Sequence, residues 1–421
     1  MEEQQASSTN KGEFFSVSMQ ALDAMARQGG SAEDVLAYLV LARHTKGRGA
    51  GAGVWTAAGA SAIANKAGMG YRRAEHALEW LAQPKNPDAF EQPDPFIFSA
   101  EDARTKLREA VPEHFGASKS NITKIRWYLN PSAEPVALAN SLIDGIGAGM
   151  EQPPLARIYE RVKPDIENGI TMAQARLDAV MLLMHLHLHH DIEGCGGVNP
   201  ASGIHRQWRL ADKADWCDGE PVQEVEGSNA AIYEIESADT RVMYKTFAKE
   251  ALSYVQDDAE RVTRFWCAFD NLQQLGFFYE VLTVWSADPA DTPAKKKAEY
   301  LYPLYIFDRK ARDREPFLQR EIHTAMLNKE MLDAYSVWNV HRDDSPVLQT
   351  GKFRFIAVKK IGAHPVGVYR LRFRPKTRDT GIGMAAEVAK ALEWGNAARK
   401  IAGRRTMRQW EQPKARGNAP L

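Results

Sequence analysis

The segment Thr56–Gln83 constrains the fold of this 421-residue chain more than any other stretch of it. Its sequence predicts two short helices separated by Gly68-Met69-Gly70, because glycine readily ends a helix in a left-handed conformation. Small and aliphatic residues give the two helices their apolar faces: Ala62, Ile63, Ala67, Ala74, Leu78 and Leu81. Such faces allow two helices to cross closely at the turn.

Two helices that cross at a glycine-containing turn are typical of a helix-turn-helix, whose second helix reads the major groove of DNA with its N-terminal end. The second helix, Tyr71–Leu81, carries Arg72, Arg73 and His76 toward that end. We therefore expect these three side chains to contact DNA. The alternative is an ordinary helical corner inside a core, with the same basic residues facing water.

The composition is typical of a soluble globular protein, with 44% apolar and 26% charged residues. A chain of this length can form two or three domains, each with its own core. No apolar run approaches the roughly 20 residues that a membrane span needs. Residues 1–13 are polar and acidic, which predicts a disordered leader and no targeting signal. The three cysteines are too few for a disulfide framework and indicate a cytoplasmic protein.

Charge is distributed unevenly along the chain. Lys and Arg together number 54, as do Asp and Glu, so the net charge is zero. From Thr350 to Leu421, however, 17 Lys and Arg stand against 4 Asp and Glu, an excess of 13 positive charges. The asymmetry indicates a region that faces a polyanion such as nucleic acid. A basic tail that docks on the protein's own acidic surface is the alternative.

Residues 14–131 are predicted to form a first domain around the helix-turn-helix. A helix with Ser31 as its N-cap fits Ala32–His44, and a strand fits Ile122–Leu129. Three helices followed by strands are in the order of a winged helix, in which residues 101–121 would form an enlarged wing. Two lysines at this wing are expected to reach phosphates, although a solvated loop explains them equally well: Lys119 and Lys124.

After a linker over residues 132–154, residues 155–343 are predicted to form a second winged-helix-like domain with an insertion at 191–239. Thr240–Val255 and Asp257–Leu275 are predicted as amphipathic helices. The latter leads into the aromatic strand Phe277–Trp285, which would form a hairpin with Tyr300–Phe307. Four basic residues would face DNA from this half: Arg261, Arg264, Lys295 and Lys296. A core helix beside a hairpin is the alternative.

Residues 344–421 are predicted to form a basic strand–helix extension. The strand Gly367–Arg374 alternates apolar residues with Arg370, Arg372 and Arg374, which places the three arginines on one face. A row of arginines is costly unless it meets anions or water. A helix over Met384–Arg405 would add four more basic residues: Arg399, Lys400, Arg404 and Arg405. Stabilisation of the helix C-terminus by these charges is a competing explanation.

Histidines alternate with leucine in the segment Met184–Cys195. On a strand they would share one face, and the His-apolar-His pattern resembles the metal site of the tyrosine nickases that start rolling-circle replication. The preceding residues ARLDAVMLLM predict a helix, however, which would scatter the histidines around its axis. A structural zinc is a second hypothesis. The candidate metal ligands are His187, His189, Cys195, His205 and Cys217. Surface histidines and buried free thiols are the simpler interpretation.

Two winged-helix-like halves followed by a basic tail resemble the tandem winged-helix replication initiators of plasmids and other mobile elements. The resemblance rests on ASAIANKAGMGYRRAEHALEWL in the first half and AERVTRFWCAFDNLQQLGFFYEV in the second. It implies an α+β fold, sequence-specific binding of double-stranded DNA, and a balance between monomer and homodimer. The long insertion and the region after Asp343 depart from that pattern.

Three other functions fit parts of the same sequence. A transcriptional repressor or regulator of a mobile element would share the DNA-binding halves. A metal-dependent nickase would use the histidine segment. A protein-interaction scaffold could be built on winged helices that bind protein. Since the chain carries no nucleophile elbow, HExxH or Walker motif, we expect no cofactor and no enzymatic activity outside the nickase hypothesis.

Overall fold

The computed structural model describes residues 14–46, 54–83, 96–99, 127–129, 135–145, 152–191, 195–201, 203–210, 223–224, 230–285, 300–306, 352–358 and 364–374. Helices and sheets are mixed in an α+β fold. The chain divides into two compact units. The first comprises Met1–Leu188, Ala248–Phe277 and Phe373–Thr377, and the second comprises His189–Phe247, Phe278–Arg372 and Arg378–Leu421. The leader predicted at residues 1–13 lies outside the described residues.

The helices of the described residues follow the chain as α1 (Met19–Arg27), α2 (Ala32–Arg43), α3 (Ala60–Ala67), α4 (Tyr71–Ala82), α5 (Ser141–Asp144), α6 (Pro154–Arg161), α7 (Met172–Leu188), α8 (Lys245–Ala251) and α9 (Asp258–Gln274). Among them, no helix has both the length and the apolar character that crossing a membrane requires. The predicted domain boundary at residue 155 falls inside the first unit, because α6, α7 and α9 pack in that unit with the earlier helices.

The strands of the first unit form two antiparallel sheets. One sheet pairs β1 (Phe14–Ser18) with β6 (Pro135–Ala139). The other contains β2 (Thr45–Lys46), β3 (Val54–Thr56), β4 (Ile97–Ser99) and β5 (Trp127–Leu129). Its order is β2-β3-β5-β4, so the central strands β3 and β5 lie between the two outer ones.

Helix α2 is the centre of the first unit, and its residues from Val35 to Ala42 are buried. Its start confirms the predicted N-cap, because the Ser31 hydroxyl accepts a hydrogen bond from the Asp34 backbone N–H at 3.3 Å. The Asp34 carboxylate accepts one in return from the Ser31 N–H at 2.7 Å. This reciprocal capping box satisfies two backbone donors that the helix leaves unpaired.

The turn between α3 and α4 follows the predicted glycines. Gly68 ends α3 in the left-handed region with φ of 71°, and the buried Met69 anchors the turn. A Cβ atom on Gly68 would lie 2.9 Å from the Cβ of Ala156 on α6. The turn therefore needs glycine at this position for its backbone conformation and for its close approach to α6.

The second unit contains a two-stranded and a seven-stranded sheet among its described residues. The small sheet pairs β7 (His190–Asp191) with β8 (Gly197–Val198). The large sheet contains β9 (Ile204–Leu210), β10 (Gln223–Glu224), β11 (Ala230–Met243), β12 (Phe278–Trp285), β13 (Tyr300–Ile306), β14 (Lys352–Val358) and β15 (His364–Leu371). Its main order is β10-β11-β9-β15-β12-β13, with β14 paired to β11.

Two expectations for this part of the chain have different outcomes. The predicted pairing of Phe277–Trp285 with Tyr300–Phe307 is confirmed, since β12 and β13 are antiparallel neighbours. The predicted helix over Thr240–Val255 is wrong at its start. Residues 240–243 continue β11, where they pair with β9, and helix begins only at Lys245.

Gly68→Ala tests the turn that joins α3 to α4. We expect it to lower the free energy of unfolding by about 2–4 kcal/mol, because a left-handed non-glycine residue is strained and the new methyl group crowds α6. The matched control is Gly70→Ala, where φ is −66° and a Cβ would meet nothing within 4 Å.

The control should cost less than about 1 kcal/mol, the usual difference between glycine and alanine at an N-cap. Urea unfolding followed by circular dichroism measures both variants. Equal losses for Gly68→Ala and Gly70→Ala would contradict the assigned role of Gly68.

Candidate nucleic-acid interface

Helix α4 buries one face and exposes the other. Its buried stripe contains the residues that the sequence predicted for it, Ala74, Leu78 and Leu81, together with Ala77. With about 100° between successive residues, Arg72 and His76 lie nearly opposite this stripe. Both are exposed, and the His76 side chain is 81% accessible. The outward face of α4 is therefore the one that carries the two predicted contacts.

Arg72 and His76 differ in what they contact. Among the residues that the structure describes, Arg72 has no ion-pair or hydrogen-bond partner. His76 places Nδ1 3.4 Å from Oε2 of Glu79, which is itself exposed. Glu75 is also exposed on this face. The outward face thus mixes charges, and Arg72 is its unpaired guanidinium within the described part of the chain.

Arg73 lies on the flank of α4, and its guanidinium is bound within the protein. Its Nη1 donates to the hydroxyl of Tyr159 on α6 and lies 3.4 Å from Oε1 of Glu33 on α2. The hydrogen bond to Tyr159, together with the charge of Glu33, raises the pKa of Arg73. The side chain is nevertheless 60% accessible. The prediction that Arg73 is presented in the same way as Arg72 is therefore corrected.

The backbone N–H groups of the first turn of α4 have no acceptor one turn earlier in the same helix. Gly70 is the N-cap, and as a glycine it provides no side-chain cap. The first internal bond runs from the N–H of Ala74 to the carbonyl of Gly70 at 3.1 Å. The N–H groups of the first turn therefore make no bonds within α4, which is the condition in which a helix N-terminus attracts an anion.

Arg261 and Arg264 on α9 are not presented to a second groove, which corrects the sequence prediction. Each is 7% exposed. Arg264 donates from Nε to Oδ2 of Asp178 at 2.9 Å and from Nη2 to Oδ1 at 2.7 Å. Arg261 donates to Asp258 and to the backbone carbonyl of Val255. Both guanidinium groups are occupied inside the first unit.

The Asp178–Arg264 pair is a desolvated ion pair. Burial disfavours the charged guanidinium, but the hydrogen bonds and charge of Asp178 outweigh it and raise the pKa of Arg264. Tyr254 completes the cluster by donating its hydroxyl to Oδ1 of Asp178 at 2.6 Å. The exposed start of α9 is instead acidic, with Asp258 91% and Glu260 50% accessible. This end of α9 therefore exposes carboxylates, which pair with Arg261 and Arg264, and not the guanidinium groups that the prediction requires.

The predicted arginine row of the C-terminal region is also largely buried. Arg370 is 1% and Arg374 is 7% exposed. Arg370 donates from Nη2 to the backbone carbonyl of Cys195 at 2.9 Å. Arg372, half-buried, follows the end of β15 at Leu371. The expectation that these residues meet an outside anion is corrected for Arg370 and Arg374, since both are enclosed by protein.

Other predicted contacts cannot be placed on this fold. Eight of the predicted phosphate-contacting residues and one candidate metal ligand lie outside the described residues: Lys119, Lys124, Lys295, Lys296, Arg399, Lys400, Arg404, Arg405 and Cys217. The site that the structure assembles from the predicted residues is therefore the N-terminal half of α4.

The histidine segment belongs to helix α7, as its preceding residues predicted. His185 and His187 are two residues apart and so diverge by about 200° around the helix axis. Nε2 of His185 lies 3.1 Å from Oδ1 of Asp23. His187 is 8% exposed, and its Nε2 has no hydrogen-bond partner among the described residues. Burial lowers the pKa of His187 to about 3.

The remaining metal candidates lie in the second unit. Cys195 and His205 are buried, and the His189 ring packs edge-on against Phe247 with centroids 5.0 Å apart. Over the described ranges, no three side chains of His, Cys, Asp or Glu are grouped to hold a metal ion. These candidates are therefore not assembled into either a zinc site or a nickase site within those ranges.

Two residues of the candidate interface were not predicted from the sequence. Glu33 and Tyr159 contact Arg73 from 40 and 86 residues away along the chain. Glu33 had a local signal, because it occupies the first turn of a capped helix, but that signal indicates helix stability and not an arginine partner. Tyr159 had no local signal, since only the fold brings α6 beside α4.

Asp178→Asn tests the buried ion pair. We expect a loss of about 3–5 kcal/mol in the free energy of unfolding, because Arg264 would remain buried opposite a neutral amide. The matched control is Glu167→Gln at an exposed turn position, which should change stability by less than about 0.5 kcal/mol. Urea titration compares the variants, and a loss below 1 kcal/mol for Asp178→Asn would contradict the prediction.

His187 predicts a pH dependence of stability. Its folded-state pKa of about 3 lies below the ordinary value of 6.5. Above pH 6.5 the imidazole is neutral in both the folded and the unfolded protein, so it does not change the stability. As the pH falls from 6.5 toward 3, the unfolded state binds the proton and the folded state does not. The free energy of unfolding then decreases by about 1.4 kcal/mol per pH unit. Between pH 7.5 and 5.5, His187→Leu should lose about 1.4 kcal/mol less than the parent protein.

Urea midpoints at the two pH values provide the measurement. His76→Asn, at an exposed position, is the control and should lose as much stability as the parent. The same pH difference in His187→Leu as in the parent would show that His187 is not the group responsible.

Comparison of the chain with protein-family models, curated proteins and solved structures found no match in any of the three. The candidate interface is the exposed N-terminal half of α4. There, Arg72 is unpaired within the described residues and Arg73 is held at the flank of the helix.

Proposed function

We propose that this protein binds double-stranded DNA sequence-specifically, with α4 as the helix that enters the major groove. The observation that carries the proposal is the exposed N-terminal end of α4, where Arg72 has no partner among the described residues. Arginine is the side chain most often used to recognise guanine, through paired hydrogen bonds to O6 and N7. His76 lies about one helical turn further along the same face.

A winged-helix interpretation of the first unit is supported by the order of its elements. Helix α2, strand β3, helices α3 and α4, and strands β4 and β5 follow one another along the chain. Strand β5 pairs with both β3 and β4. In a winged helix the last two strands flank the wing, which is the role that β4 and β5 take in this interpretation.

The electrostatics of α4 supports the same proposal. The positive end of its dipole favours a phosphate group close to its N-terminus. Glu75 and Glu79 lie on the exposed side of the helix and oppose indiscriminate binding of polyanions. The carboxylates on this exposed face of α4 need hydrogen-bond donors on the bases, such as the cytosine amino group, to offset their repulsion by phosphate. The net affinity of the face therefore depends on the base sequence.

For the biological role, we propose initiation of replication of a plasmid or other mobile element. The support is the resemblance carried by the two sequence segments. The basic residues of 344–421 other than Arg370 and Arg374 would add salt-sensitive affinity for phosphate. Because Arg261 and Arg264 are buried, α4 is left to supply specificity. A transcriptional regulator would bind DNA in the same way, and sequencing the DNA selected by the intact protein separates origin repeats from a single operator.

Arg72→Ala tests the proposed interface. We expect it to reduce the free-energy difference between specific and non-specific binding by about 1–3 kcal/mol, the usual contribution of a paired arginine–guanine contact. The ratio of specific to non-specific affinity falls accordingly. Fluorescence anisotropy with the selected duplex and a scrambled duplex at several salt concentrations gives this ratio.

Arg161→Ala is the matched control, since Arg161 is also exposed in the first unit but lies on α6. It should leave the ratio unchanged. If the intact protein has no affinity for any duplex at low salt, the proposed function is wrong and a protein-binding scaffold becomes the better interpretation. If Arg72→Ala and Arg161→Ala behave alike, α4 is not the reading helix.

A further inference from the structure

Arg73 is joined to two other side chains in a closed set of polar contacts. Its Nη1 donates to the Tyr159 hydroxyl, and the same nitrogen lies 3.4 Å from Oε1 of Glu33. The Tyr159 hydroxyl in turn donates to that Glu33 oxygen at 3.0 Å. Each of the three side chains comes from a different helix, α4, α6 and α2. The position of Nη1 is therefore fixed by the fold.

Tyr159 is itself firmly held. Its residue is 5% exposed, and the Arg176 guanidinium lies over its ring at 4.1 Å from the centroid. Because Tyr159 has only two side-chain torsions, packing of the ring fixes the hydroxyl as well. Arg73 is thus hydrogen-bonded to a rigid partner. Its long side chain is already partly ordered, so it loses less conformational entropy when it binds a ligand.

The other side of the Arg73 guanidinium is free to bind. The contacts of Arg73 with described residues involve Nη1, and its side chain is 60% accessible. Nε and Nη2 form the opposite edge of a planar group and present two parallel N–H donors. Such an edge matches two oxygens of one phosphate.

The position of Arg73 on α4 selects the backbone of DNA as its target. Arg73 lies about 100° around the helix from Arg72. When Arg72 faces the base edges of a groove, Arg73 faces the wall of that groove, where the sugar-phosphate backbone runs. Contacts with phosphate fix the register of a protein on the duplex, whereas contacts with base edges give specificity.

We propose that Arg73 is a pre-positioned phosphate clamp that sets the register of α4 in the groove, and that Tyr159 and Glu33 are its positioning residues. The inference rests on the proposed function and adds to it a division of labour between two adjacent arginines. Arg72 contacts a base, and Arg73 binds the adjacent phosphate of the DNA backbone. The ligand of Arg73 is a phosphodiester of the bound duplex.

Tyr159→Phe tests this inference in the intact protein, because it removes the hydroxyl and retains the ring beneath Arg176. We expect about twofold to tenfold weaker binding of the selected duplex. In the parent protein Arg73 is ordered before DNA binds, whereas in the variant it must be ordered on binding. The dependence of log affinity on log salt should stay as in the parent, since the charge of Arg73 is retained. Anisotropy titrations from low to moderate salt measure both quantities.

Two variants at position 73 provide the comparison. Arg73→Lys keeps a charge but loses the planar fork, so it should also weaken binding with an unchanged salt slope. Arg73→Ala should weaken binding and reduce the magnitude of the slope by about 0.9, the value for one lost phosphate contact. Both variants should leave the ratio of selected to scrambled duplex close to that of the parent, in contrast to Arg72→Ala.

Tyr254→Phe controls for loss of stability alone. It also removes a buried tyrosine hydroxyl that contacts a carboxylate in the first unit, but at Asp178 and away from α4. It should reduce the unfolding midpoint and leave duplex affinity unchanged. Equal effects of Tyr159→Phe and Tyr254→Phe on binding would assign the effect to stability and overturn the inference.

Two further outcomes would overturn it. Parent-like affinity of Tyr159→Phe would show that Arg73 needs no positioning, and a rise in affinity would show that Tyr159 holds Arg73 back from DNA. Absence of duplex binding by the parent protein itself would instead refute the proposed function, so the two failures are distinguishable.

Discussion

The protein's own carboxylates determine which arginines remain available to an outside anion. Asp178 is fully buried and engages Arg264 through two hydrogen bonds, which removes that guanidinium from the surface. Glu33 is partly accessible and holds Arg73 by one nitrogen only. Arg72 has no such partner among the described residues. Three arginines of one unit thus occupy three different states, and the proposed interface follows from that difference.

Local patterns in the sequence predicted the elements around α4 well. The N-cap at Ser31 and the apolar positions Ala74, Leu78 and Leu81 are confirmed. Helix α9 and the antiparallel neighbours β12 and β13 are confirmed as well. These features depend on residues within one or two turns of each other, so the sequence itself contains the necessary information.

Long-range partners explain what the sequence could not predict. Asp178 meets Arg264 across 86 residues, and nothing near Arg264 distinguishes a buried guanidinium from an exposed one. Thr240–Met243 form a strand and not the predicted helix. Their amphipathic spacing fits either state, and pairing with β9 favours the strand. Tyr159 likewise becomes relevant to α4 only through tertiary packing.

The two-stranded sheet of the first unit has a consequence for the order of folding. Strand β1 pairs along its whole length with β6, from Phe14 opposite Ala139 to Ser18 opposite Pro135. Helices α2, α3 and α4 all lie within the chain segment that this pairing closes. Closing so long a segment costs more chain entropy than forming a helical turn, so the ladder is the late step of assembly. The earliest residues of the described chain would then be the last to find their partners.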